Sequence, residues 1–104
     1  MTQEKAQKLF KCLSDTSRLR IIQSLTQGDM YTELLAERLE LTPPTVSFHM
    51  KKLEDAGLVL RDQKETVPPH VEYSLTERGE ALLPALNELY AWGEEQMRVI
   101  GDSR

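Results

Sequence analysis

The chain has one cysteine, Cys12, among its 104 residues, which excludes an intramolecular disulfide framework. It has no apolar run approaching the ~20 residues that a bilayer-spanning helix requires. Its opening residues, Met-Thr-Gln-Glu-Lys-Ala-Gln-Lys, hold no apolar core of the signal-peptide kind. A cytoplasmic protein away from membranes is expected. There is no Gly-rich phosphate loop, no nucleophile elbow and no pair of carboxylates set for acid–base work, so an enzyme is not expected. A surplus of positive charge is missing too. The net charge is −4, which by itself weighs against a nucleic-acid binder.

The charge is unevenly spread, and that softens the objection. Residues 1–28 carry five Lys/Arg against two Asp/Glu, and residues 29–57 three against six. Residues 58–71 carry two of each, and residues 72–104 three against seven. Acid therefore gathers toward the C-terminal end. Within residues 41–52 the only charges are Lys51 and Lys52, so nonspecific attraction to a polyanion should be modest and salt-sensitive. The length suggests one domain over 1–104. Its core would be thin, and dimerisation is a common way to add buried surface.

Helical periodicity marks the first half. Ala6, Leu9, Phe10 and Leu13 fall at i, i+3, i+4 and i+7. Ser14 or Asp15 caps a second helix over about 16–27, whose inward residues are Leu19, Ile21, Ile22 and Leu25, and Gly28 stops it. A third helix, about 31–39, turns Leu34, Leu35 and Leu39 inward. After the short turn Glu40-Leu41, Thr42 caps a fourth helix with Pro43 at its first position, where a missing N–H costs nothing. Gly57 ends it. Residues 58–62 and 71–75 alternate as strands around an irregular loop, with room for a short third strand near Met30. A last helix starts near Glu77, and Pro84 should kink or restart it. Apolar or small residues then recur at 82, 86, 89, 93, 97 and 100, the period of a helix lying along another helix. Helix, tight turn, helix and ribbon is the order of a winged helix-turn-helix: mainly α with a small β-wing.

Residues 42–57, Thr-Pro-Pro-Thr-Val-Ser-Phe-His-Met-Lys-Lys-Leu-Glu-Asp-Ala-Gly, carry the functional signal. Val46, Met50 and Leu53 share one face and should point to the core. Thr45, Ser47, Phe48, Lys51 and Lys52 are left outward. Hydroxyls at Thr45 and Ser47 suit base edges or phosphates, and Phe48 suits a thymine methyl. Lys51 and Lys52 suit phosphate, although two lysines alone read equally well as a solvated face. Thr42 and Pro44, at the helix start, complete the DNA-facing set. His49 lies at the edge of the buried face; an internal hydrogen bond is its first reading and a phosphate contact its second. In the wing, Arg61 and Lys64 are the only basic residues, and His70 is either a DNA contact or a plain loop histidine. Cys12 reads as a small buried hydrophobe, with a redox switch as the alternative.

Two resemblances follow from these residues. Leu9-Phe-Lys-Cys-Leu-Ser-Asp-Thr-Ser-Arg-Leu-Arg-Ile-Ile and the 42–59 stretch, with its Val-Ser-x-His-x-x-x-Leu and Ala-Gly-Leu-Val, resemble the ArsR/SmtB winged-helix repressors. Val67-Pro-Pro-His-Val-Glu-Tyr-Ser-Leu-Thr-Glu-Arg-Gly, Leu82-Leu-Pro-Ala-Leu and Trp92-Gly93 resemble the HxlR group, whose usual N-terminal cysteine motif is absent. Both imply a dimeric transcription regulator. The metal ligands that ArsR/SmtB relatives carry are missing: the third helix has no cysteine and the last helix no histidine. No metal and no cofactor are therefore expected.

The expectation is a homodimeric, sequence-specific DNA-binding repressor on a near-palindromic operator, released by an unidentified small-molecule effector. The first and last helices would dimerise through Ala6, Leu9, Phe10 and Leu13 against Leu86, Leu89, Tyr90, Gly93 and Met97. The rival is a winged-helix protein-interaction module that does not bind DNA, which the acidic balance favours.

Overall fold

The computed structural model describes residues 2–102, and side chains through Ile100. Five helices and three strands follow in the order α1 (Gln3–Leu13), α2 (Thr16–Leu25), β1 (Met30–Tyr31), α3 (Thr32–Leu39), α4 (Pro43–Asp55), β2 (Val59–Lys64), β3 (His70–Leu75) and α5 (Glu77–Asp102). The strands form one antiparallel sheet in the order β1-β3-β2. Met30 pairs with Tyr73, and Arg61 faces Tyr73 from the other side.

Local chemistry sets most boundaries. Thr2 accepts from Lys5 N at 3.1 Å to start α1. Asp15 accepts from Ser17 N at 2.8 Å and Arg18 N at 3.2 Å to start α2. These bonds satisfy amide donors that a helix N-terminus otherwise leaves orphaned. At the end of α4, Gly57 N bonds Glu54 O and Leu58 N bonds Leu53 O. That is a Schellman closure, and the φ of +77° at Gly57 is the left-handed value it needs. The end of α3 repeats the pattern without glycine: Leu41 N bonds Ala36 O, Glu40 N bonds Glu37 O, and Glu40 holds φ +55°.

The core gathers one stripe from each helix and the inner face of the sheet. Ile21, Ile22, Leu35, Val46, Met50 and Leu53 are fully buried. Two inward assignments change. In α3, Leu34 is exposed and Ala36 is buried. In α2, Leu19 is only half-buried, while Arg18 joins the buried stripe at 18, 21, 22 and 25.

The last helix runs unbroken through Pro84, so no fresh start occurs there. Pro84 and Glu80 are both exposed, and the carbonyl at 80 that loses its partner at 84 is open to water. The helix is seated at its first turn. Thr76 Oγ1 donates to Gly57 O at 2.7 Å and accepts from Gly79 N at 3.1 Å. Gly79 is buried so tightly against Leu58 that a Cβ would lie 2.3 Å from its carbonyl oxygen. No helix among the described residues is long and apolar enough to cross a membrane.

Candidate nucleic-acid interface

The fourth helix is fixed on one side and open on the other. Val46, Met50 and Leu53 are fully buried, so the opposite face must look outward. Ser47, Phe48, Lys51 and Lys52 lie on it, exposed, with Phe48 at 58 %. A phenylalanine held this far out of a core is an unusual use of a large apolar side chain next to hydroxyls. Lys52 Nζ stands 5.0 Å from the Phe48 ring centroid, within cation–π reach. Lys51 pairs with Asp55 one turn on, at 3.2 Å. Thr42 caps the helix by accepting from Thr45 N at 3.3 Å, and the two threonine hydroxyls sit 2.8 Å apart. The Thr45 hydroxyl is thus tied into the cap and half-buried. Pro44 is exposed in the first turn.

His49 does not share the exposed face. It is buried, and its Nδ1 lies 3.2 Å from Nη1 of buried Arg18. A guanidinium only donates, so Nδ1 is the acceptor in this contact. Arg18 Nε also donates to the carbonyl of Cys12, and Asp15 lies 4.0 Å from Nη1. One side chain therefore ties the end of α1, the start of α2 and the middle of α4 together. The contact of His49 is internal, which places it apart from the residues open to DNA. Partial burial opposes ionisation of Asp15, but the N–H of Arg18 and the nearby positive charge outweigh it and hold its carboxyl below the usual range. Arg18, buried behind the outward face of α4, is not among the residues the sequence pattern singles out. Its signal was a cation standing at the i, i+3, i+4, i+7 register of a buried stripe.

In the wing, Arg61 is exposed and lines a hollow of about 210 Å³ between α4 and the sheet, together with Ser47 and Lys51. The fourth helix and the wing thus bring Ser47, Lys51, Glu54 and Arg61 to one edge. Lys64 is less free: it pairs with Asp62 at 2.8 Å and with Glu72 across the strands at 3.8 Å. His70 packs its ring 5.1 Å from that of Tyr31, with its Nδ1 buried and unbonded among the described residues.

The face expected to dimerise is largely uncovered. Phe10, Leu89 and Met97 are each 60 % exposed or more, Tyr90 is exposed, and Ala6, Leu9, Leu13 and Gly93 are half-buried. Leu86 differs: it is buried within its own chain. Trp92, exposed on the same helix, was not among the expected contacts.

Burial raises the thiol pKa of Cys12 above its ordinary value, against the opposing charges of Arg18 and Lys52. Its Sγ–H points to Lys52 O at 3.8 Å.

The family model described as HxlR-like helix-turn-helix matches residues 12–100. An uncharacterised HTH-type transcriptional regulator of Halalkalibacterium halodurans is 46 % identical over 63 residues, which cover 61 % of this chain and 56 % of that protein. The HTH-type transcriptional regulator YvaP of Bacillus subtilis is 36 % identical over 77 residues, 74 % of this chain and 71 % of its own. The chain thus spans little more than half the length of the first of these relatives. Among solved structures, the reduced form of the transcriptional regulator YodB from B. subtilis superposes with a TM-score of 0.79 at 27 % identity, covering 91 % of this chain and 94 % of that one. The match takes in the 42–59 stretch as well as the wing and α5, so the ArsR/SmtB likeness of that stretch is not upheld. A capped helix closed by glycine is what any winged-helix reader needs there, and it does not separate one group from another.

Proposed function

Since the chain belongs to the HxlR-like helix-turn-helix family, we propose that it is a sequence-specific DNA-binding transcriptional regulator, working in the cytoplasm as a homodimeric repressor. The observation that carries this reading is the outward face of α4. Ser47 and Phe48 are presented on a helix held by its Thr42 cap, by three fully buried apolar residues and by the Arg18–His49 contact. Such a helix enters a major groove with its orientation already set. Ser47 and Phe48 read base edges, Lys51 and Lys52 meet phosphates, and Arg61 adds a contact from the wing. Lys64 contributes less, because its charge is already matched by Asp62 and Glu72.

The homodimer reading rests on the exposed apolar residues of α1 and α5, which a lone chain would leave in water. Two copies joined there would present two recognition helices to successive major grooves, about 10 bp apart. An effector would act by favouring one spacing of those helices over another. The relatives are named as transcriptional regulators, which favours this reading over a protein-interaction module.

The test is binding to DNA selected by the wild-type chain from a random pool. Ser47→Ala with Phe48→Ala should lower specific affinity at least about tenfold, since each good base contact is worth ~1–3 kcal/mol, and leave the oligomer intact. Unchanged affinity would remove this face from the interface. Leu89→Asp should yield monomers by sedimentation while the fold persists, because position 89 is 60 % exposed on the single chain. A wild type that sediments as a monomer would end the dimer reading.

A further inference from the structure

A second concave site lies on the other side of α4 from the hollow beside the wing. It is a cleft of about 910 Å³ bounded by α1, the C-terminal half of α4 and the first turn of α5. Six of the chain's thirteen Lys and Arg residues line it: Lys5, Lys8, Lys11, Arg18, Lys52 and Arg78. That concentration occurs in a chain whose net charge is −4. The single carboxylate in the lining, Asp55, is already matched by Lys51 at 3.2 Å. Arg18 has its own partners, but among the described residues no ion pair engages Lys5, Lys8, Lys11, Lys52 or Arg78. Elsewhere Lys51, Lys64 and Arg98 are matched to acids, Arg20 and Arg38 donate to Leu39 O and Gln27 Oε1, and Arg61 alone stands unpaired beside the wing among the described residues. Cations left unpaired around a concavity raise its potential well above that of the open surface.

The floor is of a different kind. Leu9 and Ala56 are half-buried and Cys12 is buried there. Contacts to a DNA backbone phosphate need charge and hydrogen-bond donors but make no use of an apolar floor. A concavity within the ~300–1,000 Å³ range of small-molecule sites, apolar beneath and cationic at the rim, fits a molecule with both characters. We propose that this cleft binds a small amphiphilic anion, an aromatic or aliphatic body bearing a carboxylate, sulfonate or phosphate group.

The apolar body lies on Leu9, Cys12 and Ala56, and the anionic group is met by Lys8, Lys52 and Arg78. The cleft also has a route to the outward face of α4. Lys52 lines the cleft and at the same time stands 5.0 Å from the Phe48 ring. An anion that draws Lys52 inward takes it off Phe48. That coupling to DNA rests on the function proposed above, whereas occupancy of the cleft does not.

The test uses the full chain without DNA, with 2-naphthoate as probe, followed by titration calorimetry at low ionic strength. One saturable site per chain is expected. Uncharged 2-naphthol and inorganic phosphate should each bind at least about tenfold more weakly, because each lacks one half of the recognition. Lys8→Gln with Arg78→Gln should weaken naphthoate about tenfold, the effect of losing charge-assisted contacts. Arg38→Gln, remote on α3, should leave it unchanged. Both cleft residues are exposed, so the double variant should keep its circular dichroism and its sedimentation. Non-saturable binding, equal binding of 2-naphthol, or undiminished naphthoate binding by the double variant would each overturn the proposal. A change of oligomeric state in that variant would make the cleft a subunit contact. Weakened DNA binding by it, with no naphthoate bound by the wild type, would make the cleft a seat for the DNA backbone.

Discussion

Replacing Arg18 by methionine tests whether the recognition helix is held from behind by a polar strut. The side chain is 9 % exposed, and methionine fills a similar unbranched volume. The substitution removes the donors to Cys12 O and to His49 Nδ1, leaving two buried acceptors unmet. An unsatisfied buried group costs about 1–3 kcal/mol. Part of that is offset because a guanidinium no longer has to be buried. A net loss of about 2 kcal/mol is expected, which for a chain of this size lowers the melting temperature by roughly 10 °C. Urea unfolding followed by circular dichroism measures it. Arg18→Lys should recover little, since a point charge cannot span two acceptors in a fork. The decisive comparison is the cycle with His49→Leu. If the two side chains act as one unit, the double variant should be less unstable than the sum of the singles by about 1 kcal/mol. Below the unfolding midpoint, selected DNA should also bind more weakly to Arg18→Met, because α4 has lost a fixed contact. Additivity within about 0.3 kcal/mol, with DNA affinity unchanged, would refute the strut.

Three further outcomes follow from other parts of the fold. Gly79→Ala places a Cβ 2.3 Å from Leu58 O and 3.2 Å from Leu75 Cδ2; the carbonyl cannot yield, so α5 must shift, and a loss of about 3 kcal/mol in urea unfolding is expected for this overpacking. Glu40→Gly should stabilise by about 0.5–1 kcal/mol, because the C′ position of α3 holds φ +55° and L residues are strained there; an unchanged or lower urea midpoint would show that Glu40 is not strained. Cys12 should alkylate with iodoacetamide more slowly than a free thiol at pH 7.5, with the rate rising through and beyond the ordinary thiol pKa, since burial favours the protonated form. The same shift adds stability that is complete below the unfolded thiol's pKa and disappears as pH climbs through the folded one; a thiol as reactive as a free one at neutral pH would contradict it.

The limits of α4 were legible because their causes are local. Thr42, Pro43 and Gly57 act on neighbouring backbone groups, and three apolar residues at helical spacing choose the inward face. The short α3 was harder. Leu34, Leu35 and Ala36 are consecutive on two turns of helix, and period alone cannot say which two face in. Arg18 illustrates a different barrier: a cation on a helix reads as solvated until the fold brings Cys12 O and His49 to it. Lys64 looked free until the β2–β3 register set Glu72 beside it. The basic cleft collects residues from Lys5 to Arg78, a convergence of α1, α4 and α5 that no local spacing reports.

The 26-residue α5 extends for roughly 39 Å at ~1.5 Å per residue, a large part of the 58 Å long axis of the molecule. Its grip on the body runs from Thr76 and Gly79, seated against residues 57 and 58, to Leu82, Leu83 and buried Leu86. The part beyond Leu86 magnifies angle into distance: a swing of only 5° about that grip carries the tip roughly 2 Å over its ~24 Å. Were two tips clamped to each other, the tips would stay put and the bodies would travel instead, so a disturbance smaller than a bond length near Leu58 would be felt as a change of stride along a duplex.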